Sequence, residues 1–148
     1  MSYFVAMGKT PTGGTRGEED YGLLAGKHVL VVDDELGFGE FVRGLFARYG
    51  CQIEVLQDSR SALEQFRARP DDFDLLISDY LMPGITGSEL TESVRTLRPD
   101  LPVILCTGYM ETLVSGSTAM GREPAVLRKP VTSSALLSHA TRLLGRQA

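Results

Sequence analysis

The stretch Asp74-Leu75-Leu76-Ile77-Ser78-Asp79-Tyr80-Leu81-Met82-Pro83-Gly84 decides how the chain is read. Leu75, Leu76 and Ile77 form a short apolar run, and Pro83-Gly84 stops any regular structure after it. The run therefore predicts a buried strand feeding a loop at Asp79. In an open parallel sheet, chemistry gathers just beyond the carboxyl ends of the strands. A carboxylate there suits a nucleophile or a metal ligand. Asp also opens turns, so Asp79 alone does not decide between the two.

Outward from this stretch, strand and helix patterns alternate from Lys27 onward. His28-Val29-Leu30-Val31-Val32 predicts a first strand buried on both faces and ending in Asp33-Asp34. Phe38, Phe41, Val42, Leu45, Phe46 and Tyr49 then recur as the stripe of an amphipathic helix closed by Gly50. Gly37, Gly39 and Gly44 weaken that helix by up to ~1 kcal/mol each relative to Ala, so packing must hold it. Gln52–Leu56 is a second strand. Asp58 or Ser59 caps a helix bearing Ala62, Leu63 and Phe66 that ends before Pro70. Strand three is Leu75–Ser78, and Gly87–Leu97 is a third helix. Pro102–Cys106 is strand four, ending at Thr107-Gly108. Tyr109–Met120 reads as a weak helix diluted by Ser115, Gly116, Ser117 and Thr118. Ala125–Arg128 is strand five, ending at Lys129-Pro130, and Ser133–Leu144 is the last helix with Thr132 as its cap.

Five strands alternating with five helices predict an α/β fold with a parallel sheet covered on both faces. Asp33-Asp34, Asp79, Thr107 and Lys129 follow strands one, three, four and five. All of them then land on one edge of the sheet.

The 148 residues suit one domain with a single core, and 43% hydrophobic with 23% charged residues is ordinary for a globular protein. Residues 1–26 are rich in Gly, Thr and charge, which predicts a disordered tail or linker before a domain at 27–146. Gly8-Lys9-Thr10 does not complete a phosphate-binding loop, because Tyr3 stands where that loop needs Gly. The net charge is −4; two of the 15 basic and three of the 19 acidic residues lie before Lys27. With no basic run or stripe, nucleic acid is not an expected partner. No apolar run approaches the ~20 residues of a membrane span, and Met1–Ala6 lacks the basic start of a secretory signal. The cytosol is the expected location, with no membrane role for this domain. Cys51 and Cys106 lie far apart with no C-x-x-C spacing, so reduced thiols are expected rather than a zinc site or disulfide.

Three carboxylates in one pocket repel one another and call for a cation or for protons. A hard divalent ion with oxygen ligands is the natural solution, and Mg²⁺ takes only one or two carboxylates while keeping several waters. With the Lys129 ammonium and the Thr107 hydroxyl added, the pocket becomes a receptor for a phosphoryl dianion, and Asp79 a candidate nucleophile.

The ordered set V-V-D-D-E, S-D-Y-L-M-P-G-I-T-G, C-T-G-Y and L-R-K-P resembles a response-regulator receiver domain of two-component signalling. The resemblance covers roughly residues 27–146. It implies a flavodoxin-like fold with strand order 2-1-3-4-5 and Asp79 as phosphoacceptor. It implies Mg²⁺ held by Asp34, Asp79 and the Leu81 carbonyl, with Asp33 joining through water. Thr107 and Lys129 would each meet a phosphoryl oxygen, Lys129 beside a cis peptide to Pro130. The implied donor is a phosphohistidine on a histidine kinase or phosphotransfer protein. Output to a downstream protein would pass through the face of the fourth helix, fifth strand and fifth helix. Such a domain is not a turnover enzyme; it accepts a phosphoryl group and slowly loses it.

Departures from the family pattern are visible. Val126 stands where the family usually has an aromatic switch residue, so aromatic rotation coupled to Thr107 is in doubt, and Tyr109 is a candidate substitute. Leu81 and Tyr109 occupy the two variable positions flanking the phosphoryl group, and their bulk is expected to slow its hydrolysis. With no output domain expected after the last helix, the chain reads as a single-domain regulator or as the receiver of a hybrid sensor kinase. Three rivals stay open: an aspartyl-nucleophile phosphatase of the haloacid-dehalogenase kind, a flavin or nucleotide module, and a receiver-like module that never takes phosphate. Asp33-Asp34-Glu35 differs from the D-x-D-x-T of that phosphatase family. His28 and His139 read as structural.

Overall fold

The short apolar runs become five strands: β1 (His28–Val32), β2 (Gln52–Leu56), β3 (Leu75–Asp79), β4 (Val103–Thr107) and β5 (Ala125–Arg128). They come from a computed structural model that describes residues 21–108 and 124–145. All neighbours pair in parallel, in the order β2-β1-β3-β4-β5. Four helices lie among the described residues: α1 (Leu36–Ala47), α2 (Ser59–Ala68), α3 (Gly87–Leu97) and α4 (Ser133–Gly145). This is the expected flavodoxin-like α/β arrangement. The helix expected over Tyr109–Met120 and residues 1–20 of the expected tail lie outside the described residues.

Side chains alternate across the sheet and divide the core in two. Val29, Val31, Leu75, Ile77, Ile104 and Cys106 meet Val42, Leu45 and Phe46 of α1 and Leu136, Leu137 and Ala140 of α4. Leu30, Val32, Leu76, Val103 and Leu105 meet Ala62, Leu63 and Phe66 of α2 and Leu90 and Val94 of α3. Strands buried on both faces need continuous apolar runs, which is what β1, β3 and β4 have. Helix starts follow local chemistry. Asp58 accepts hydrogen bonds from the Arg60 and Ser61 N–H groups at α2, and Thr86 with Glu89 forms a reciprocal capping box at α3. The Thr132 hydroxyl accepts from the Ala135 N–H at α4.

Three local expectations change. Strand β3 runs one residue further than read and includes Asp79, because the backbone stays paired with β4 as far as Asp79–Cys106. In α1 the buried residues are Gly39, Val42, Leu45 and Phe46, while Phe41 is exposed. A Cβ on Gly39 would sit 2.4 Å from Val55 Cγ1. The helix rests on β2 through Gly39, and that close approach turns Phe41 outward.

The third change concerns residues 21–26, read as the end of the linker. Tyr21–Leu24 forms a 3₁₀ turn in which Leu24 is fully buried. The Leu24 carbonyl accepts from the Cys51 thiol at 3.2 Å and from the Lys27 N–H at 3.0 Å, and Tyr21 meets Tyr49 edge-on at 5.3 Å. Two leucines in a Gly-flanked stretch show no period, so the sequence carried no signal for this anchor. Leu24→Ala is expected to cost about 2 kcal/mol, as truncation of a buried leucine does. Urea denaturation would read this, and an unchanged midpoint would return residues 21–26 to the linker.

Candidate functional site

Each candidate side chain is placed by the end of a strand. The Asp33 N–H donates to the Leu56 carbonyl at 3.1 Å, which extends the β1 ladder by one residue and leaves the Asp33 carboxylate fully buried. Its Oδ1 accepts from the Glu35 N–H at 2.8 Å, making the tight turn into α1. Asp34, next along, is exposed. Asp79 closes β3, and the Tyr80 N–H is tied to the Cys106 carbonyl at 2.8 Å. Thr107 closes β4 and is buried. Its carbonyl accepts from the Lys129 N–H at 2.8 Å, which fixes where the chain leaves β5. The peptide from Lys129 to Pro130 is cis.

Carboxylate oxygens of Asp33, Asp34 and Asp79 lie within 4.8 Å of one another. The Lys129 Nζ lies 3.0 Å from Asp33 Oδ2, 3.4 Å from Asp79 Oδ1 and 3.7 Å from Glu35 Oε1. Its other neighbour is the Phe38 ring, with 4.9 Å from Nζ to the centroid.

The charges act on one another. Burial first, then the Asp33 charge, pushes the Asp79 carboxyl above its ordinary value; Lys129 pulls it back, and Asp34 adds a further push. Burial alone would make the Lys129 ammonium easier to deprotonate. The hydrogen bond and charge of Asp33, together with Asp79, outweigh burial and hold the lysine above its ordinary value. Lys129 is therefore charged at neutral pH. Burial pushes the Cys106 thiol up to about 12, so it is a neutral core group beside the site.

One ammonium among three aspartates leaves carboxylate charge in excess. The donor set is all oxygen, converges from two strand ends, and has one exposed member through which water can enter. These features fit a hard divalent cation such as Mg²⁺. Residues Asp33, Asp34 and Asp79 could hold it.

The structure thus brings together Asp33, Asp34, Asp79 and Lys129, with Thr107 buried at the same edge. Leu81 follows β3 with its side chain 44% exposed. Val126 packs toward the α2–α3 core. Tyr109 lies outside the described residues. Sequence reasoning missed two neighbours of Lys129. Glu35 was read only as part of the acidic run, and Phe38 only as a core-facing member of the α1 stripe. His28 pairs with Glu54 at 2.9 Å and stacks on Phe73, while His139 lies 2.8 Å from Arg142; neither belongs to the site. No helix among the described residues is long and apolar enough to cross a membrane.

Comparison with known proteins agrees with this geometry. Residues 29–141 match the family model of the response regulator receiver domain. The response regulator receiver protein CpdR of Brucella abortus is 25% identical over 118 residues, covering 80% of this chain and 97% of that protein. The C4-dicarboxylate transport transcriptional regulatory protein DctD of Pseudomonas aeruginosa is 33% identical over 116 residues, covering 78% of this chain but 25% of that protein. The two-component response regulator ARR14 of Arabidopsis thaliana is 35% identical over 62% of this chain and 25% of that protein, so the chain spans a minor part of such relatives. Among solved structures, the Vibrio cholerae chemotaxis protein CheY4 aligns with a TM-score of 0.70 at 30% identity, over 80% of this chain and 99% of that one. A family match across most of the chain, on a sheet of this order with acids and lysine at its carboxyl edge, places the protein among the response regulator receiver domains of two-component signalling.

Proposed function

We propose that Asp79 accepts a phosphoryl group from a phosphohistidine on a histidine kinase or histidine phosphotransfer protein. The observation that carries this reading is the Lys129 ammonium, 3.0 Å from Asp33 and 3.4 Å from Asp79 within a trio of carboxylates. An Asp79 oxygen attacks phosphorus while the donor's P–N bond breaks. The donor ring carries a proton on its other nitrogen, so the bonding pair leaves with a neutral imidazole, and Asp79 becomes an acyl phosphate. Lys129 stands where it can neutralise a phosphoryl oxygen, and the Thr107 hydroxyl is assigned to a second one. Positioning and charge neutralisation supply the rate, as phosphoryl transfer generally requires. Asp34, Asp79 and the Leu81 carbonyl, with Asp33 through water, would hold Mg²⁺, which would supply further neutralisation of the phosphoryl charge.

No turnover of a small substrate is part of this reading. The phosphorylated form would signal to a downstream protein by a population shift of the face that includes β5 and α4. The domain itself would act in the cytoplasm, with Tyr21–Leu24 packed as part of it. Intact-protein mass after incubation with Mg²⁺ and a small acyl-phosphate donor tests the proposal. One phosphoryl group is expected, and none when a chelator is present. An unmodified protein, or an adduct indifferent to chelation, would overturn it.

A further inference from the structure

The Lys129 ammonium is held by more than charge. On one side lie Asp33, Asp79 and Glu35; on another lies the face of the Phe38 ring, 4.9 Å from Nζ to the centroid. Phe38 is in the first turn of α1, half-buried against the α1–α4 core. Its neighbour Phe41 lies 6.1 Å away, tilted by 47°. The ring is packed into the fold and cannot follow the ammonium about. Lys129 is only 22% exposed, and attraction between an ammonium and a ring face grows as water is removed.

Asp33 and Asp79 already hold the ammonium at 3.0 and 3.4 Å, and Glu35 pulls on it from 3.7 Å. A flexible four-carbon stem does nothing to oppose that pull. The ring face adds a fixed attraction of its own, which the stem cannot supply. We propose that Phe38 is a positioning residue for Lys129: its ring helps fix the ammonium where it stands, beside Asp33 and Asp79. There the ammonium can meet a phosphoryl oxygen. This rests on the phosphoacceptor reading above for its chemical consequence, but the ring contact itself does not.

The test separates the two. Lysines occur only at positions 9, 27 and 129, so the ε-methylene signals of Lys129 are readily resolved by ¹³C-edited NMR. In metal-free wild type, the ring current of Phe38 shifts the Lys129 ε-protons upfield of those of the other two lysines. Phe38→Leu, which keeps an apolar side chain, abolishes the shift, and Phe38→Tyr retains it. With Mg²⁺ and a small acyl phosphate, Phe38→Leu slows phosphorylation about three- to tenfold, the range a partly desolvated cation–ring contact supports. Its half-saturating Mg²⁺ concentration is no higher than that of wild type, whereas general loosening of the site would raise it. Phe38→Tyr restores the rate. In a Lys129→Ala background, Phe38→Leu has no further effect on whatever rate remains.

Two results would overturn the proposal: Lys129 ε-protons unmoved by Phe38→Leu, or an equal loss of rate with and without the lysine. If wild type takes no phosphoryl group, the phosphoacceptor reading fails, while the NMR comparison still decides whether the ring holds the ammonium.

Discussion

Asp79→Asn is expected to take up no phosphoryl group and to melt higher than wild type at pH 7 in the presence of a chelator. The first effect is complete loss, because an amide is not a nucleophile toward phosphorus under these conditions. The second follows from linkage. The folded Asp79 carboxyl titrates above its ordinary 3.8, through burial and the neighbouring Asp33, against the pull of Lys129. A carboxyl raised in the folded state binds its proton more tightly there than in the unfolded chain. Its favourable contribution is therefore fully present below the unfolded value and is lost as pH rises through the folded one. At pH 7 the ionised group weakens the fold. Asn keeps the shape and removes the charge, and Lys129 retains Asp33 and Glu35. A rise of about 2–4 °C in Tm corresponds to relief of about 1 kcal/mol in a domain of this size. The gain should fade as pH falls through the raised folded value, where the wild-type carboxyl takes up its proton. Added Mg²⁺ should then narrow the difference by stabilising wild type more than the variant. A variant that melts lower than wild type at pH 7 in chelator would show that the Lys129 contact outweighs the repulsion.

Gly87→Ala should do the opposite and damage both stability and chemistry. A Cβ at Gly87 would lie 2.3 Å from the Asp79 carbonyl oxygen and 3.0 Å from the Tyr80 Cα. Both are backbone atoms, so no side-chain rotation relieves the contact. The Gly87 N–H also donates to the Tyr80 carbonyl at 2.8 Å, which clamps the start of α3 against the residue next to the one that bears the reacting group. Overpacking against backbone at such a point costs about 3 kcal/mol, or about 6–12 °C in Tm. The displaced Asp79 should also slow phosphorylation by more than about tenfold, since small misplacements are costly in a positioning mechanism. Gly44→Ala is the control. Nothing lies within 4 Å of a Cβ there, and Ala in a helix interior gains about 0.5–1 kcal/mol over Gly. Chemical denaturation of the two variants side by side would decide the matter. Equal midpoints would mean that the backbone at Gly87 relaxes without cost.

The sequence made the carboxyl edge of the sheet legible because each strand announces its own end. His28–Val32 stops at two acids, Leu75–Ile77 leads to Asp79, and Ala125–Arg128 leads to Lys129. Apolar runs separated by capped helices are local signals, and the topology then needs no further information to gather those ends. What stayed hidden depends on distance through space. Lys129 and Asp33 are 96 positions apart when they meet, and nothing in either segment names the other. The aromatic neighbour was hidden for a different reason. Phe38 fits the apolar period of α1 perfectly well, and only the close seating of Gly39 on Val55 turns the helix so that Phe38 stands beside the lysine. Leu24 was hidden because one buried residue in a polar stretch makes no pattern.

Asp33 and Asp79 share the parity of Val29, Val31, Leu75 and Ile77, and so belong to the side of the sheet covered by α1 and α4. In evolutionary terms the two sides then drift under different rules. Away from Gly87 and Thr107, substitutions that repack the α2–α3 side can accumulate without moving a reacting atom. A one-residue insertion or deletion within β1 or β3 would send its carboxylate to the opposite side, and such lineages should be missing among functional descendants.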